Sequence, residues 1–217
     1  MTKPPTILDA PQNNWVDRYT PNSWHPFLRL MRLDRPIGTW LLLYPCWWSV
    51  LLANMTPPRS DIKTLVWVCL LFAIGAVTMR GAGCAYNDFI DRDFDSKISR
   101  TANRPLASGQ ITHQQTIILI VILSMLGLLV LLQLNKFSIF LGASSTLLIL
   151  IYPFMKRITN WPQLFLGLVF NWGALLGWSA IKGSLSLSAI ALYVGAVFWT
   201  IGYDTIYAHQ DAKEDYV

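Results

Sequence analysis

Six stretches of this chain contain no Asp, Glu, Lys or Arg: Ile37 to Asn54, Thr64 to Met79, Thr116 to Leu134, Phe137 to Met155, Asn160 to Ile181 and Gly183 to Tyr203. A helix rises about 1.5 Å per residue, so roughly 20 residues cross the ~30 Å hydrocarbon layer of a bilayer, and these blocks have that length. The second is short unless its helix runs on through Arg80 to Tyr86, which places an arginine inside a spanning helix. Only 13% of the 217 residues are charged, against about 25% in an ordinary soluble domain. The pattern predicts an all-α, polytopic transmembrane helical bundle of six spans. It reads as a single transmembrane domain over residues 1–217, opened by a polar segment at 1–24.

The formal charge of +5 raises the question of nucleic acid. The basic residues sit at the ends of apolar blocks and form no stripe, so no nucleic-acid partner is expected. They report topology instead. With the N-terminus cytoplasmic, only Arg59, Lys63, Lys136 and Lys182 of the 17 Lys and Arg fall on the far side, as the positive-inside rule requires. Cys46, Cys69 and Cys84 lie in or beside apolar blocks without paired spacing and read as packing residues. The first 24 residues carry Asp9 and Asp17 and lack an apolar h-region or an Arg-rich amphipathic pattern. Neither a secretory signal nor a transit peptide is expected from them, which favours a bacterial inner membrane over a mitochondrial one.

Pro26 through Arg35 reads as an amphipathic approach to the bilayer, with Arg29, Arg32 and Arg35 spaced along one side to meet lipid headgroups. Further on, the longest polar interval, Asn87 to Gln115, separates the second and third spans, whereas Asn135 and Lys136 alone join the third and fourth. Long loops more often carry function. Pro105 and Gly109 break this one.

The interval opens with "NDFIDRDFD" directly after a strongly apolar run. At about 100° per residue, Asp88, Asp91 and Asp95 share a ~60° arc with Asn87 about 40° beyond it, while Asp93 points away. A second acidic end, "YDTIYAHQDAKED", follows the last span on the same predicted side. There Asp204, Tyr207, Asp211 and Asp215 share a ~80° arc by the same count. Clustered carboxylates at the edge of hydrocarbon repel one another and are poorly hydrated. The two ends are expected to face one another across one pocket and to hold a hard divalent cation. Mg²⁺ binds one or two carboxylates together with water and substrate phosphates, so the residues alone point to a membrane enzyme handling a Mg²⁺-bound diphosphate.

The loop "SKISRTANRPLASGQIT" supplies Lys97, Arg100 and Arg104 for phosphate oxygens. Tyr152 and Lys156, at i and i+4, share a helix face and reach toward the same end. Arg80, about 10 Å deeper than Asn87, calls for an anion. Three other readings compete. A solvated helix end with ordinary surface acids suits one cluster, but two clusters with internal helical register argue against it. A calcium loop fails because Ser96 stands where Gly is needed and Ala102 where Glu is needed. A transporter's ion pathway would space its acids through the bilayer depth, whereas these cluster at helix ends.

The segments "RLDRPIGTWLL", "GCAYNDFIDRDFD", "RTANRPLASGQI" and "GYDTIYAHQD" resemble the UbiA-type intramembrane aromatic prenyltransferases. Asn87, Asp88, Asp91 and Asp95 match the family's N-D-x-x-D-x-x-x-D signature, and Asp204, Tyr207, Ala208 and Asp211 match D-x-x-Y-A-x-x-D. "YDTIYAHQD" looks most like the branch that prenylates 4-hydroxybenzoate in ubiquinone biosynthesis, ahead of the menaquinone, haem O and chlorophyll branches. The resemblance implies polyprenyl diphosphate as donor, 4-hydroxybenzoate as acceptor and Mg²⁺ as cofactor, with the isoprenoid tail in or beside the bilayer. It implies Asn87, Asp91, Asp95, Asp211 and Asp215 as metal ligands, and Lys97, Arg100, Arg104, Tyr152 and Lys156 as diphosphate-binding residues. Asp88 or Asp204 would take the ring proton, and Arg80 would meet the acceptor's carboxylate. Members of the family usually have nine spans, so a further C-terminal part is expected after Val217.

Overall fold

The uncharged blocks become helices. The computed structural model describes residues 14–159 and 161–211, with the side chains of Lys156, Arg157, Gln210 and Asp211 outside the described set. In chain order the helices are α1 (Trp15–Tyr19), α2 (His25–Leu30), α3 (Ile37–Met55), α4 (Ile62–Asp95), α5 (His113–Leu131), α6 (Lys136–Ile158), α7 (Pro162–Lys182) and α8 (Leu187–Asp211). There is no strand among the described residues. Five of the helices, α4 to α8, are long and apolar enough to cross a membrane, and the protein is integral to one. The remaining expected span is α3, whose 19 residues carry no charge but include Pro45 and a run of aromatic rings that lower its hydropathy.

At 34 residues, α4 is about 50 Å long, well beyond the ~30 Å hydrocarbon layer. It runs without interruption through Arg80 and on to Asp95, as the sequence predicts. Asp61 caps its start by accepting the Thr64 amide at 3.3 Å. Hydrogen bonding, chiefly to the Thr64 side chain, holds the Asp61 carboxyl below the usual carboxylate range.

The chain divides into two compact units. One takes the residues up to Trp40 together with Ile74–Leu129. Its core is Leu30 of α2, Ala85 of α4 and Ile111, ringed by Phe27, Leu119 and Ile120. Ile111 ties the polar interval down onto the helices. The same interval is held to the end of α4 by the Thr101 hydroxyl, which donates to the Asp95 carbonyl at 2.9 Å alongside the Ile98 amide at 3.4 Å. The turn after Leu106 passes through Gly109 at φ 76°, a conformation that suits a residue without Cβ. Within the polar segment before α2, α1 is tied down by the Trp15 indole N–H, which donates to the Leu33 carbonyl at 2.7 Å.

The other unit takes Leu41–Ala73 and the chain from Val130 onward. Here α7 packs against α6 and α8. With no water in hydrocarbon, the polar side chains of the unit find partners across these helices. Asn135 caps α6 by accepting the Ser138 amide at 3.0 Å and donates from Nδ2 to the Ser179 carbonyl of α7 at 2.7 Å. Asn171 of α7 donates to the Thr200 hydroxyl of α8 at 2.8 Å, the Trp172 indole N–H to the Leu141 carbonyl of α6 at 2.9 Å, and the Ser49 hydroxyl of α3 to the Ala174 carbonyl. Cys46 is buried in this packing as expected.

The close approach of α3 to α7 depends on Gly177, where a Cβ would run into the Cys46 carbonyl oxygen and meet the Ser49 Cβ at 3.0 Å. Around Gly195 of α8 nothing lies within 4 Å of that position. Gly177→Ala is therefore expected to cost about 1–3 kcal/mol by overpacking and to lower the thermal midpoint in detergent. Gly195→Ala should leave the midpoint unchanged or raise it.

Candidate active site

The end of α4 carries the first acidic signature on unbroken helix. Asp88 and Asp95, seven residues apart on one face, are both buried, whereas the Asp93 side chain is 88% exposed. This agrees with the helical count from the sequence. Asn87, just before Asp88, and Asp91, between the two, are half-buried.

Two arginines from outside α4 converge on this face. Arg32 Nη2 donates to Asp88 Oδ1 at 2.7 Å. Arg104 Nη1 lies 3.4 Å from the same oxygen and 2.8 Å from Asp95 Oδ2. Two guanidinium ions and two carboxylates thus form a cluster whose formal charges cancel. The Asp88 side chain is only 2% exposed, Arg32 10% and Arg104 17%, so Arg104 is the more exposed of the two arginines. At these depths a carboxylate is retained only with counter-ions in contact.

Arg32 corrects the headgroup reading of the N-terminal arginines. It is buried on Asp88, while Arg29 pairs with Asp17 at 2.7 Å and Arg35 with the buried Asp34 at 3.2 Å. All three meet carboxylates of the protein, because folding of α1 and α2 encloses them and an enclosed cation needs an anion within reach.

The backbone reaches Arg32 at a cost. α2 ends in a Schellman motif, with the Leu33 amide donating to the Leu28 carbonyl at 3.0 Å and the Arg32 amide to the Arg29 carbonyl at 3.0 Å. The residue past the cap in this motif takes the left-handed conformation and is usually glycine. Here it is Arg32, at φ 59°, a conformation that costs an L-residue about 1–2 kcal/mol. The salt bridge to Asp88 offsets that strain.

Arg80 lies on α4 more than two turns before Asp88, half-buried against the first turn of α3. A Cβ added to Gly38 would come within 2.6 Å of the Arg80 Cζ, so the guanidinium rests on the α3 backbone where a side chain is absent. In the sequence Gly38 has no chemistry to mark it. Beside it the Thr39 hydroxyl is buried without a hydrogen-bond partner.

Of the basic loop, Lys97 is exposed and Arg100 half-buried, two and five residues past the end of α4. The second signature lies on α8, where Asp204 is half-buried and Tyr207 exposed. Tyr152 is half-buried on α6. The side chains of Lys156 and Asp211 lie outside the described residues, as does the whole of Asp215.

The donor set at the end of α4 fits a hard cation. It offers carboxylate and carboxamide oxygens only, and Asp88 Oδ2 is buried with no hydrogen-bond partner. No three His, Cys, Asp or Glu side chains converge as a metal cage among the described residues. An all-protein cage is not what Mg²⁺ requires, since it keeps waters and takes substrate phosphates alongside one or two carboxylates. Asn87 and Asp91 are the donors on this face outside the arginine pairs given above.

Removing Asp88 takes from the buried Arg32 the carboxylate it pairs with at 2.7 Å, while Arg104 keeps Asp95 at 2.8 Å. Asp88→Ala is expected to cost about 3–5 kcal/mol, read as a large fall in the thermal midpoint of the purified protein. Asp93→Ala, on the exposed side of the same turn, should change stability by no more than about 0.5 kcal/mol.

Residues 42–217 match the model of the UbiA prenyltransferase family. Over 197 residues the chain is 56% identical to a protein of Rattus norvegicus named 4-hydroxybenzoate polyprenyltransferase, mitochondrial, covering 90% of this chain and 51% of that one. The chain spans about half the length of the curated relatives it matches. Among solved structures, a UbiA homolog from Aeropyrum pernix K1 in its apo form superposes with a TM-score of 0.66 at 27% identity, over 82% of this chain and 65% of that one. A UbiA homolog from Archaeoglobus fulgidus bound to DMAPP and Mg²⁺ shares the fold at a TM-score of 0.63 and 18% identity, over 88% and 65%. A helical membrane protein whose residues 42–217 match the family model over most of its length leaves one assignment: this chain belongs to the UbiA prenyltransferase family.

Proposed function

We propose that the protein transfers a polyprenyl group from its diphosphate to the ring carbon of 4-hydroxybenzoate meta to the carboxylate, as a step in ubiquinone biosynthesis with Mg²⁺ as cofactor. The observation that carries this reading is the end of α4, where Asn87, Asp88, Asp91 and Asp95 present oxygen donors on continuous helix just before a basic loop. The 56% identity to a relative bearing that enzyme's name supports the acceptor. The family likeness to a homolog bound to DMAPP and Mg²⁺ supports the donor and the metal.

In the reaction the allylic C–O bond breaks with its electron pair leaving on the diphosphate. The ring carbon supplies the pair that forms the new C–C bond, and the ring then loses a proton. Asn87, Asp91 and Asp95, and in the second signature Asp211 and Asp215, are the residues that would hold Mg²⁺. When bound, the metal neutralises charge on the leaving diphosphate. Lys97, Arg100 and Arg104 bind its oxygens, with Tyr152 and Lys156 assigned to the same substrate. Guanidinium groups suit that task because their fork matches phosphate geometry. Arg80 orients the acceptor through its carboxylate. The proton goes to Asp88 or Asp204, and the two guanidinium partners of Asp88 favour Asp204.

The protein is placed in an inner membrane. The word mitochondrial in the relatives' names supports that organelle over the bacterial membrane expected from the N-terminal segment.

Product is measured by mass spectrometry after the full-length protein is incubated with 4-hydroxybenzoate, other aromatic acceptors and a polyprenyl diphosphate. Prenylated 4-hydroxybenzoate should form with Mg²⁺, vanish on chelation, and fall at least about 100-fold in Asp91→Ala. Full turnover after either change refutes the metal role. Gly38→Ala is expected to displace the Arg80 guanidinium and raise KM for 4-hydroxybenzoate about tenfold or more, with KM for the diphosphate little changed. Equal effects on both substrates contradict the role given to Arg80.

A further inference from the structure

The charge-neutral cluster at the end of α4 presents a conflict. Arg104 is assigned to the diphosphate, yet its guanidinium is already held by Asp88 and Asp95. For Arg104 to turn to a phosphate, both carboxylates must tolerate its departure. Asp95 has somewhere to go, because it is assigned to the cation that arrives with the donor. Asp88 is different: it is almost wholly enclosed, and its Oδ2 has no partner at all. Left with no counter-ion there, it would be a stranded buried charge.

Arg32 removes that obstacle. Its contact with Asp88 is the shorter of the two, 2.7 Å against 3.4 Å for Arg104. It is also the deeper of the two arginines and is fixed from behind by its Nη1 donating to the Arg29 carbonyl at 3.3 Å. Arg104 sits on the loop after α4, is the more exposed of the two, and bridges two acids with one nitrogen, Nη1. The Schellman position that delivers Arg32 is one where glycine is strain-free, so the fold bears a left-handed arginine in order to place this side chain.

We propose that Arg32 is a positioning residue: it keeps Asp88 neutralised so that Arg104 can exchange its two carboxylates for the diphosphate of the donor. With Arg104 gone, the remaining Arg32, Asp88 and Asp95 carry one net negative charge, which suits an incoming cation. Without Arg32, Arg104 becomes the sole counter-ion of a buried carboxylate and stays where it is. The inference rests on the function proposed above and concerns binding of the donor, ahead of any chemistry.

The test is calorimetric binding of a non-reacting prenyl thiodiphosphate, with Mg²⁺, to the full-length protein in nanodiscs, alongside KM for 4-hydroxybenzoate. Arg32→Gln and Arg32→Lys keep the same backbone strain and differ in charge, while Arg32→Gly relieves the strain and removes the side chain. Arg32→Gln and Arg32→Gly should bind the analogue about 10–100-fold more weakly, with KM for the acceptor nearly unchanged, and Arg32→Lys should recover most of the loss. If Arg32→Gln does not fold, the comparison of Lys with Gly decides the matter by the same criterion. Analogue affinity equal to wild type in Arg32→Gly, or a parallel fall in donor and acceptor binding, overturns the proposal. Failure of the wild-type protein to bind the analogue instead overturns the proposed function itself.

Discussion

One carboxylate organises the first unit. Asp88 lies at the meeting point of α4, the turn after α2 and the basic loop, and its Oδ1 is touched by a guanidinium from each of the latter two. A charge so deeply enclosed is stable only with a counter-ion in contact, which ties the turn after α2 and the loop to the end of α4. The apolar contacts of Leu30, Ala85 and Ile111 join the same three segments, and Ala85 lies one helical turn before Asp88 on α4. Packing and charge therefore specify one arrangement together, and the left-handed backbone at Arg32 is the concession the chain makes to satisfy both.

The bilayer explains the rest. A helix in hydrocarbon has to satisfy its own backbone, so functional oxygens accumulate where a helix outruns the membrane. The 34 residues of α4 provide that length, keeping Asn87 to Asp95 on rigid helix. Within the second unit the same solvent demands that Asn135, Asn171 and Trp172 find partners on neighbouring helices, which they do. Small residues such as Gly177 let those helices approach.

Much of this was legible in the sequence. The uncharged blocks mark α3 to α8 because hydrocarbon excludes charge over the whole of a span. The short second block forces α4 to continue through Arg80, and a helical count separates Asp93 from Asp88 and Asp95 before any coordinates are seen. The partners of the arginines were not legible. Arg29, Arg32 and Arg35 have the same spacing whether they meet lipid phosphates or protein carboxylates, and only tertiary packing decides. Asp34 adjoins Arg35, but Asp17 and Asp88 lie 12 and 56 residues from Arg29 and Arg32, separations that no local pattern encodes. Nor did anything mark Arg32 as the residue past a helix cap, since the usual signal is a glycine that is not there. Gly38 escaped for a related reason: its role is the absence of a side chain beneath Arg80.

The role of Asp88 as the anchor of the N-terminal arginine is tested most directly by a double-mutant cycle of Arg32→Gln and Asp88→Asn, read as unfolding free energy in lipid. Two groups in contact as a buried pair should show a coupling of about 1–3 kcal/mol, with the double variant less damaged than the sum of the single changes. Single effects that add to within about 0.5 kcal/mol would mean that the pair does not hold the site together.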